Sequence, residues 1–303
     1  MLRASKVVLA LALVTGVFSA PPSSRLMAAA GVADAQEGPA EHASLKPASA
    51  AASPNIPFVD YDSQSELILL DLANQARAQA GAPRLTLDSG MSQAARAHAE
   101  KMFGERELSH RFDGEPSLPQ RLAAATRTQL DQEGENVAFD SDAEQGHHHL
   151  MLSPPHRANL LNPAYNVVGL GVVRSGGLLY IVQDFGHALP NYSAAEVKDK
   201  IAVTVTQARH QARQPNLARR DLPTADDAAC SMAQADKLGT STVHQLAQRY
   251  TVLTYTSLHP ETLPESASHV LGSHNLRSFS VGTCYARTET YPMGAYWIVL
   301  SLD

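Results

Sequence analysis

The chain has 303 residues, a formal net charge of -6, 44% hydrophobic and 18% charged side chains. That length can hold one large or two modest domains with packed cores. The acidic balance excludes a general basic footprint for nucleic acid and argues against charge-driven docking on acidic lipid head groups.

The N-terminus reads as an export signal. Arg3 and Lys6 precede an apolar run from Val7 to Val17 that is short for a spanning helix. Ala33-Asp34-Ala35 offers a cleavage site, and Val17-Phe18-Ser19-Ala20 offers a second, weakened by Pro21. Residues 1–35 are therefore expected to be a signal peptide, which implies an exported protein, secreted or periplasmic, with no transmembrane segment in the mature chain. An uncleaved anchor is the alternative. Residues 36–62 are rich in Ala, Ser and Pro and read as a flexible linker. Cys230 and Cys284 are the two cysteines. In an exported chain they are a natural disulfide pair, with two buried thiols as the alternative.

From Ser65 the pattern turns helical. Leu67, Leu70, Leu72, Ala73 and Ala76 recur at helical spacing, Ser63 or Ser65 can cap, and Gly81-Ala82-Pro83 ends the run. Leu85 and Leu87 alternate with polar residues. Asp88 or Ser89 then starts a second helix with an Ala-rich face that includes His98. A loop around Ser109-His110 follows, and a short helix begins near Leu118. Gly134-Glu135-Asn136-Val137 looks like a turn entering a strand. Ala143 to Leu152 reads as a helix, broken by Ser153-Pro154-Pro155. Arg157 to Leu161 is a further helical turn. Val167 to Val173 and Leu178 to Phe185 read as a hairpin through Ser175-Gly176-Gly177. The unlike order of helices and strands predicts an α+β layered domain.

Several short motifs stand in a fixed order: Asn74-Gln75-Ala76-Arg77, Ser109-His110, Gly134-Glu135-Asn136-Val137, Ser153-Pro154-Pro155-His156-Arg157, Val168-Gly169-Leu170-Gly171 and Tyr180-Ile181-Val182-Gln183-Asp184-Phe185-Gly186. On these the stretch from Ser65 to Leu189 resembles the CAP superfamily (cysteine-rich secretory proteins, antigen 5, pathogenesis-related proteins), in its bacterial SCP-like extracellular branch. The resemblance implies an α-β-α sandwich over residues 63–190, with a groove at one end of the sheet.

The remainder repeats parts of the first half. Val205 to Arg209 resembles Ala73 to Arg77, and Pro215-Asn216-Leu217 resembles Pro83-Arg84-Leu85. Ala233 to Leu238 resembles Ala97 to Met102, and Tyr296 to Val299 resembles Tyr180 to Gln183. Residues 194–303 are therefore expected to form a second, degenerate CAP-like α+β domain. It lacks the Gly-Glu-Asn and Pro-His-Arg motifs.

In relatives two His and two acidic residues face the groove, and in some members they bind a divalent metal such as zinc. The resemblance carries this to His110 and Glu135. The family's strand His falls near Tyr180 and its second acid near Ser153, so both are missing, and His156 is expected in the histidine role. Two imidazoles and a carboxylate suit an open zinc site; without metal, His110 and Glu135 could act as an acid/base pair. The groove is expected to be lined by Ser153, Tyr180, Gln183 and Asn136. His147-His148-His149 point in different directions on a helix, leaving His149 as an outside candidate. The favoured function is a binding module for a small apolar or cell-envelope ligand. A metal-assisted hydrolase using His110, Glu135 and His156 is the second reading, and a structural envelope-interaction protein the third.

Overall fold

The computed structural model describes residues 61–303 and the backbone of Val7–Leu9. The expected signal peptide and linker otherwise lie outside the described residues. Val7–Leu9 forms a short strand, β1, which pairs in parallel with a strand of the second sheet.

The first helix, α1 (Ser63–Ala80), is capped by Asp62, whose carboxylate accepts from the Ser65 N–H, rather than by a serine. Gly81, at φ 72°, closes it in the left-handed conformation that glycine adopts without steric cost. After β2 (Thr86–Leu87), α2 (Ser89–Glu105) starts at Asp88, which accepts from the Met91 N–H. The short helix α3 (Leu118–Ala125) leads into β3 (Leu130–Asp140). Gly134-Glu135-Asn136-Val137 is thus not a turn but the middle of an 11-residue strand. Gly134 is there because Tyr165 needs the space: a Cβ would lie 2.5 Å from its hydroxyl. Next come α4 (Ala143–Leu152), α5 (Pro154–Leu161), β4 (Val167–Ser175) and β5 (Leu178–Ala188). Two prolines open α5 at positions where no N–H is needed, so that helix begins three residues earlier than the sequence suggests.

These strands form a sheet of order β2-β4-β5-β3, with β2 parallel to β4 and the other pairs antiparallel. Helices cover both faces. On one side α2 approaches so closely that a Cβ on Gly171 would lie 2.2 Å from the Ala95 backbone. On the other, Leu69, Leu150 and Leu160 from α1, α4 and α5 pack on Leu170, Ile181 and Phe185. The result is the expected α-β-α sandwich, and β3 is one edge strand of its sheet.

A second α+β layer follows. It comprises α6 (Ala194–Gln211), β6 (Ala218–Arg219), α7 (Pro223–Gln234), α8 (Ser241–Ala247), β7 (Thr251–Ser257), α9 (Glu265–Leu271), β8 (Ser278–Ala286) and β9 (Ala295–Leu302). Its strand order is β6-β8-β9-β7, with β1 beyond β7. Counted from β6, that is the order of the first sheet. The buried Arg77 donates to the carbonyls of Pro83, Leu160, Asn162 and Tyr165. Arg209 in α6 does the same for Pro215, Leu271 and Ser273.

Ladder register corrects two of the sequence correspondences. Gly171 pairs with Val182, and Gly282 pairs with Val299. Val299 therefore stands where Val182 stands, and Trp297 where Tyr180 stands, one residue from the sequence match. A slip of one residue reverses the face of every side chain. Likewise α2 ends with Glu107 N–H on the Met102 carbonyl, and α7 with Lys237 N–H on that of Met232. Met232 occupies the Met102 position, and the Ala233–Leu238 match is displaced.

Cys230 on α7 and Cys284 on β8 are disulfide-bonded, as expected. Among the described residues the second domain touches the first through the following contacts. Arg287 donates to the Ala123 carbonyl at 2.6 Å, Met293 packs with Met91 and Leu122, and Asp131 bridges His187 and His259.

Candidate functional site

The site is built where α2, the loop 108–117 and α3 meet the α2-side face of β3 and β5. Side chains alternate along a strand, so Glu135 and its ladder partner Asp184 point to that face, while Asn136 and Gln183 point to the other. This one alternation divides the expected residues into two sets.

On the α2 side lies a buried charged network. The loop is a natural place for it, because it carries His110, Glu115 and the chain turn that delivers them. His98, on the Ala-rich face of α2, has Nδ1 2.7 Å from Glu115 Oε1 and Nε2 2.8 Å from the Ser109 carbonyl. Glu115 also accepts from the Phe112 N–H. Burial pushes the Glu115 carboxyl up, but Phe112, His98 and Arg121 together outweigh it and hold it below the usual range. Arg121 of α3 is ion-paired with Glu135 Oε2 and lies 3.8 Å from Glu115 Oε1. It further donates to the carbonyl of His110 at 3.2 Å. Glu135 Oε1 sits 2.9 Å from His110 Nδ1. His98, Glu115, Arg121 and Glu135 are all buried, whereas the His110 side chain is 59% exposed.

Asp184 is fully buried, and neither of its oxygens finds a donor among the described residues. Burial, and then the negative charge of Glu135, raise its carboxyl well above the ordinary carboxylate range, against a smaller opposing pull from Arg121. A neutral Asp184 can donate its O–H to Glu135, and its other oxygen has no donor among the described residues.

On the other side of the sheet the polar groups tie α5 to β3. Asn136 donates to the His156 carbonyl and to Gln183 Oε1. Asn159 donates to the Glu135 carbonyl and to Asn136 Oδ1. Asn136 and Gln183 are fully buried, so neither lines a groove. Polarity alone suggests a groove position for Gln183, but here its Oε1 accepts from Asn136, whose amide holds α5 as a structural reading of that residue expects.

The structure brings His110 and Glu135 into contact. His156, half-buried on α5, has its imidazole pushed down by burial and by the neighbouring His110. It is a neutral imidazole beside the network rather than a member of it. Ser153 serves as the N-cap position of α5 and is half-buried. Tyr180 packs edge-on against Phe103, 5.8 Å between ring centres, four residues along β5 from Asp184. Ser109 donates its hydroxyl to the Arg111 carbonyl. His149 pairs with Asp140 at 2.5 Å and lies outside the site.

Sequence reasoning missed His98, Glu115, Arg121 and Asp184. Among the described residues no group of three His, Cys, Asp or Glu side chains is arranged to hold a metal ion. The expected three-ligand zinc site does not fit this arrangement, because one Glu135 oxygen is taken by His110 and the other by a guanidinium.

The second domain has other residues at the matching positions. By ladder register and helix ends, Ala228 stands at the His98 position, Val252 at Glu135 and Ser301 at Asp184.

Comparison with known proteins places the first domain in a family. Residues 70–185 match the cysteine-rich secretory protein (CAP) family, and this stretch is a CAP domain. The membrane protein YlbC of Bacillus subtilis (strain 168), itself described as uncharacterized, is 33% identical over 122 residues, covering 40% of this chain. The chain spans about a third of that relative's length, 34%. An extracellular SCP-domain protein of Bacillus anthracis str. Ames is 26% identical with a TM-score of 0.39, covering 41% of each chain. A cysteine-rich secretory protein of Staphylococcus aureus subsp. aureus Mu50 is 22% identical with a TM-score of 0.33, covering 44% of this chain and 40% of that one. No described helix is long and apolar enough to cross a membrane.

Proposed function

We propose that the first domain is a binding module, exported to the bacterial cell envelope, for a small ligand with an apolar part and a polar end. One observation carries this reading: an exposed imidazole, His110, is fixed on a buried charged floor, with one exposed leucine near it in the chain and another near the neighbouring His156. Leu108 is 41% exposed and Leu152 is 67% exposed. They lie two and four residues from His110 and His156. A fixed polar point beside apolar surface suits an amphiphilic ligand. The second domain, read as a degenerate repeat, then serves as a support or an envelope contact and has no acid–base groups of its own at these positions.

The test is an NMR titration of the protein with palmitate and, separately, with soluble peptidoglycan fragments. Saturable shifts at the His110 and His156 imidazoles, weakened in Leu152→Asp and Leu108→Asp, support the module. No shift with either probe counts against it.

A second reading, hydrolysis, is favoured by one contact. Glu135 at His110 Nδ1 fixes a tautomer that leaves Nε2 free as a base. Ester turnover lost in His110→Ala, with apolar binding intact, separates the two.

A further inference from the structure

The charges of the buried network can be read from hydrogen-bond roles. The Ser109 carbonyl only accepts, so His98 Nε2 carries a hydrogen. Glu115 Oε1, 2.7 Å away, is a carboxylate oxygen, so His98 Nδ1 carries one too. His98 is therefore a cation, buried with 1% of its surface exposed. Arg121 is a second. Against them stand two carboxylates, Glu115 and Glu135. Asp184, without a donor for either oxygen, is neutral. Two positive and two negative charges are thus closed off from water in one cluster. A buried set of charges survives only when so matched.

We infer that Arg121 is a resident cation standing where a divalent metal would need the carboxylates of Glu135 and Glu115, so that the His110–Glu135 pair works without zinc. Both oxygens of Glu135 are committed, Oε1 to His110 and Oε2 to Arg121. A metal at Glu135 would displace a guanidinium that also holds the His110 carbonyl, and would meet its charge at close range with little water between them. His98 adds a second positive charge, its Nε2 3.9 Å from Glu135 Oε2. The protein supplies with fixed side chains what a metal would supply as a bound ion: a positive charge against Glu135 Oε2 that holds Oε1 aimed at Nδ1. Arg121 is a positioning residue, since it touches Glu135 and the His110 carbonyl, not the exposed ring.

The experiment is a zinc titration by calorimetry on the intact protein, His110→Ala, Arg121→Met and the double variant Arg121→Met/His110→Ala, with circular dichroism as the folding check. The wild type is expected to show no saturable zinc binding that His110→Ala removes. Folded Arg121→Met, with the carboxylates released, is expected to gain a single zinc site that the double variant loses. Single-site binding to the wild type abolished by His110→Ala would overturn the inference, and so would a folded Arg121→Met that takes up no zinc. Nitrogen-15 shifts of the imidazoles give a readout independent of metal and of Arg121→Met folding. Both nitrogens of His98 are expected to be protonated at neutral pH, and a bare ring nitrogen there would overturn the charge balance. None of these readouts moves if only the ligand reading fails.

Discussion

Glu135 and Asp184 face each other across the β3–β5 ladder, both buried, one paired with a guanidinium and the other with its carboxyl raised well above the ordinary range. Their environments differ in their partners: Arg121 and His110 reach Glu135, while Asp184 has no donor among the described residues. The pair gives a direct prediction for stability against pH. Asp184 in the folded protein binds its proton more tightly than in the unfolded chain, where it titrates near its ordinary value of 3.8. Above that value the unfolded state releases a proton that the folded state keeps, so this group costs stability as pH rises. Asp184→Asn removes the cost and retains an N–H to face Glu135. It is expected to raise stability at pH 7, because the proton that the folded state holds is no longer there to be lost. The gain should vanish below about pH 3.8, where both states are protonated. Urea denaturation across that range checks it; a gain that persists at low pH would point to packing instead.

Arg77 and Arg209 hold matching places in the two domains. Each threads a buried guanidinium among loop carbonyls, four for Arg77 and three for Arg209. Removing the donor leaves buried acceptors unpaired. Arg77→Met and Arg209→Met should each cost about 3–5 kcal/mol, far more than an ordinary surface substitution. Lysine should not rescue either, because one ammonium cannot span the separated carbonyls that a planar fork reaches. Chemical denaturation of the four variants is the measurement.

The layered fold was legible because its signals are local. Apolar spacing marked α1 and α2, the Asp88 cap marked a start, and Ser175-Gly176-Gly177 marked the hairpin. The site was half legible. His110 and Glu135 stood out as polar residues in motifs. His98 did not, because periodicity placed it on the inward face of α2 and an inward residue reads as core. Glu115 and Arg121 lie in a loop and a short helix, where no period says which way they point. The error over Gln183 has the same root. Its neighbour Asp184 is the residue that faces α2, and only the strand register decides between two adjacent polar side chains.

Two glycines, one in each sheet, sit where a helix presses on the sheet. A Cβ on Gly171 would lie 2.2 Å from Ala95 backbone, and one on Gly282 would lie 2.0 Å from the Ala225 carbonyl oxygen. Backbone cannot step aside as a flexible side chain can. Gly171→Ala and Gly282→Ala should each destabilise by about 2 kcal/mol or more through overpacking. The site gives a sharper readout for the first. Moving α2 away from β4 shifts His98, so the His98 imidazole resonance should change in Gly171→Ala and stay put in Gly282→Ala. Equal shifts in both would mean that the network senses the second domain as strongly as its own helix.

The disulfide ties the second domain's helix to its sheet. Cys230 and Cys284 are separated by 54 positions, and closing a loop of that length stabilises by about 4 kcal/mol in the chain-entropy model. The domain it serves lacks the buried ion pairs of the first, having Ala228, Val252 and Ser301 in place of His98, Glu135 and Asp184. Its helix α7 is also shorter, at 12 residues against 17 for α2. The crosslink therefore compensates for a smaller helix–sheet contact. The double variant Cys230→Ser/Cys284→Ser should lower the unfolding midpoint of the second domain by roughly 10 °C or more, leaving the His110 and His98 resonances in place. Loss of those resonances at the same temperature would show instead that the two domains unfold as one unit, joined through Asp131, Arg287 and Met293.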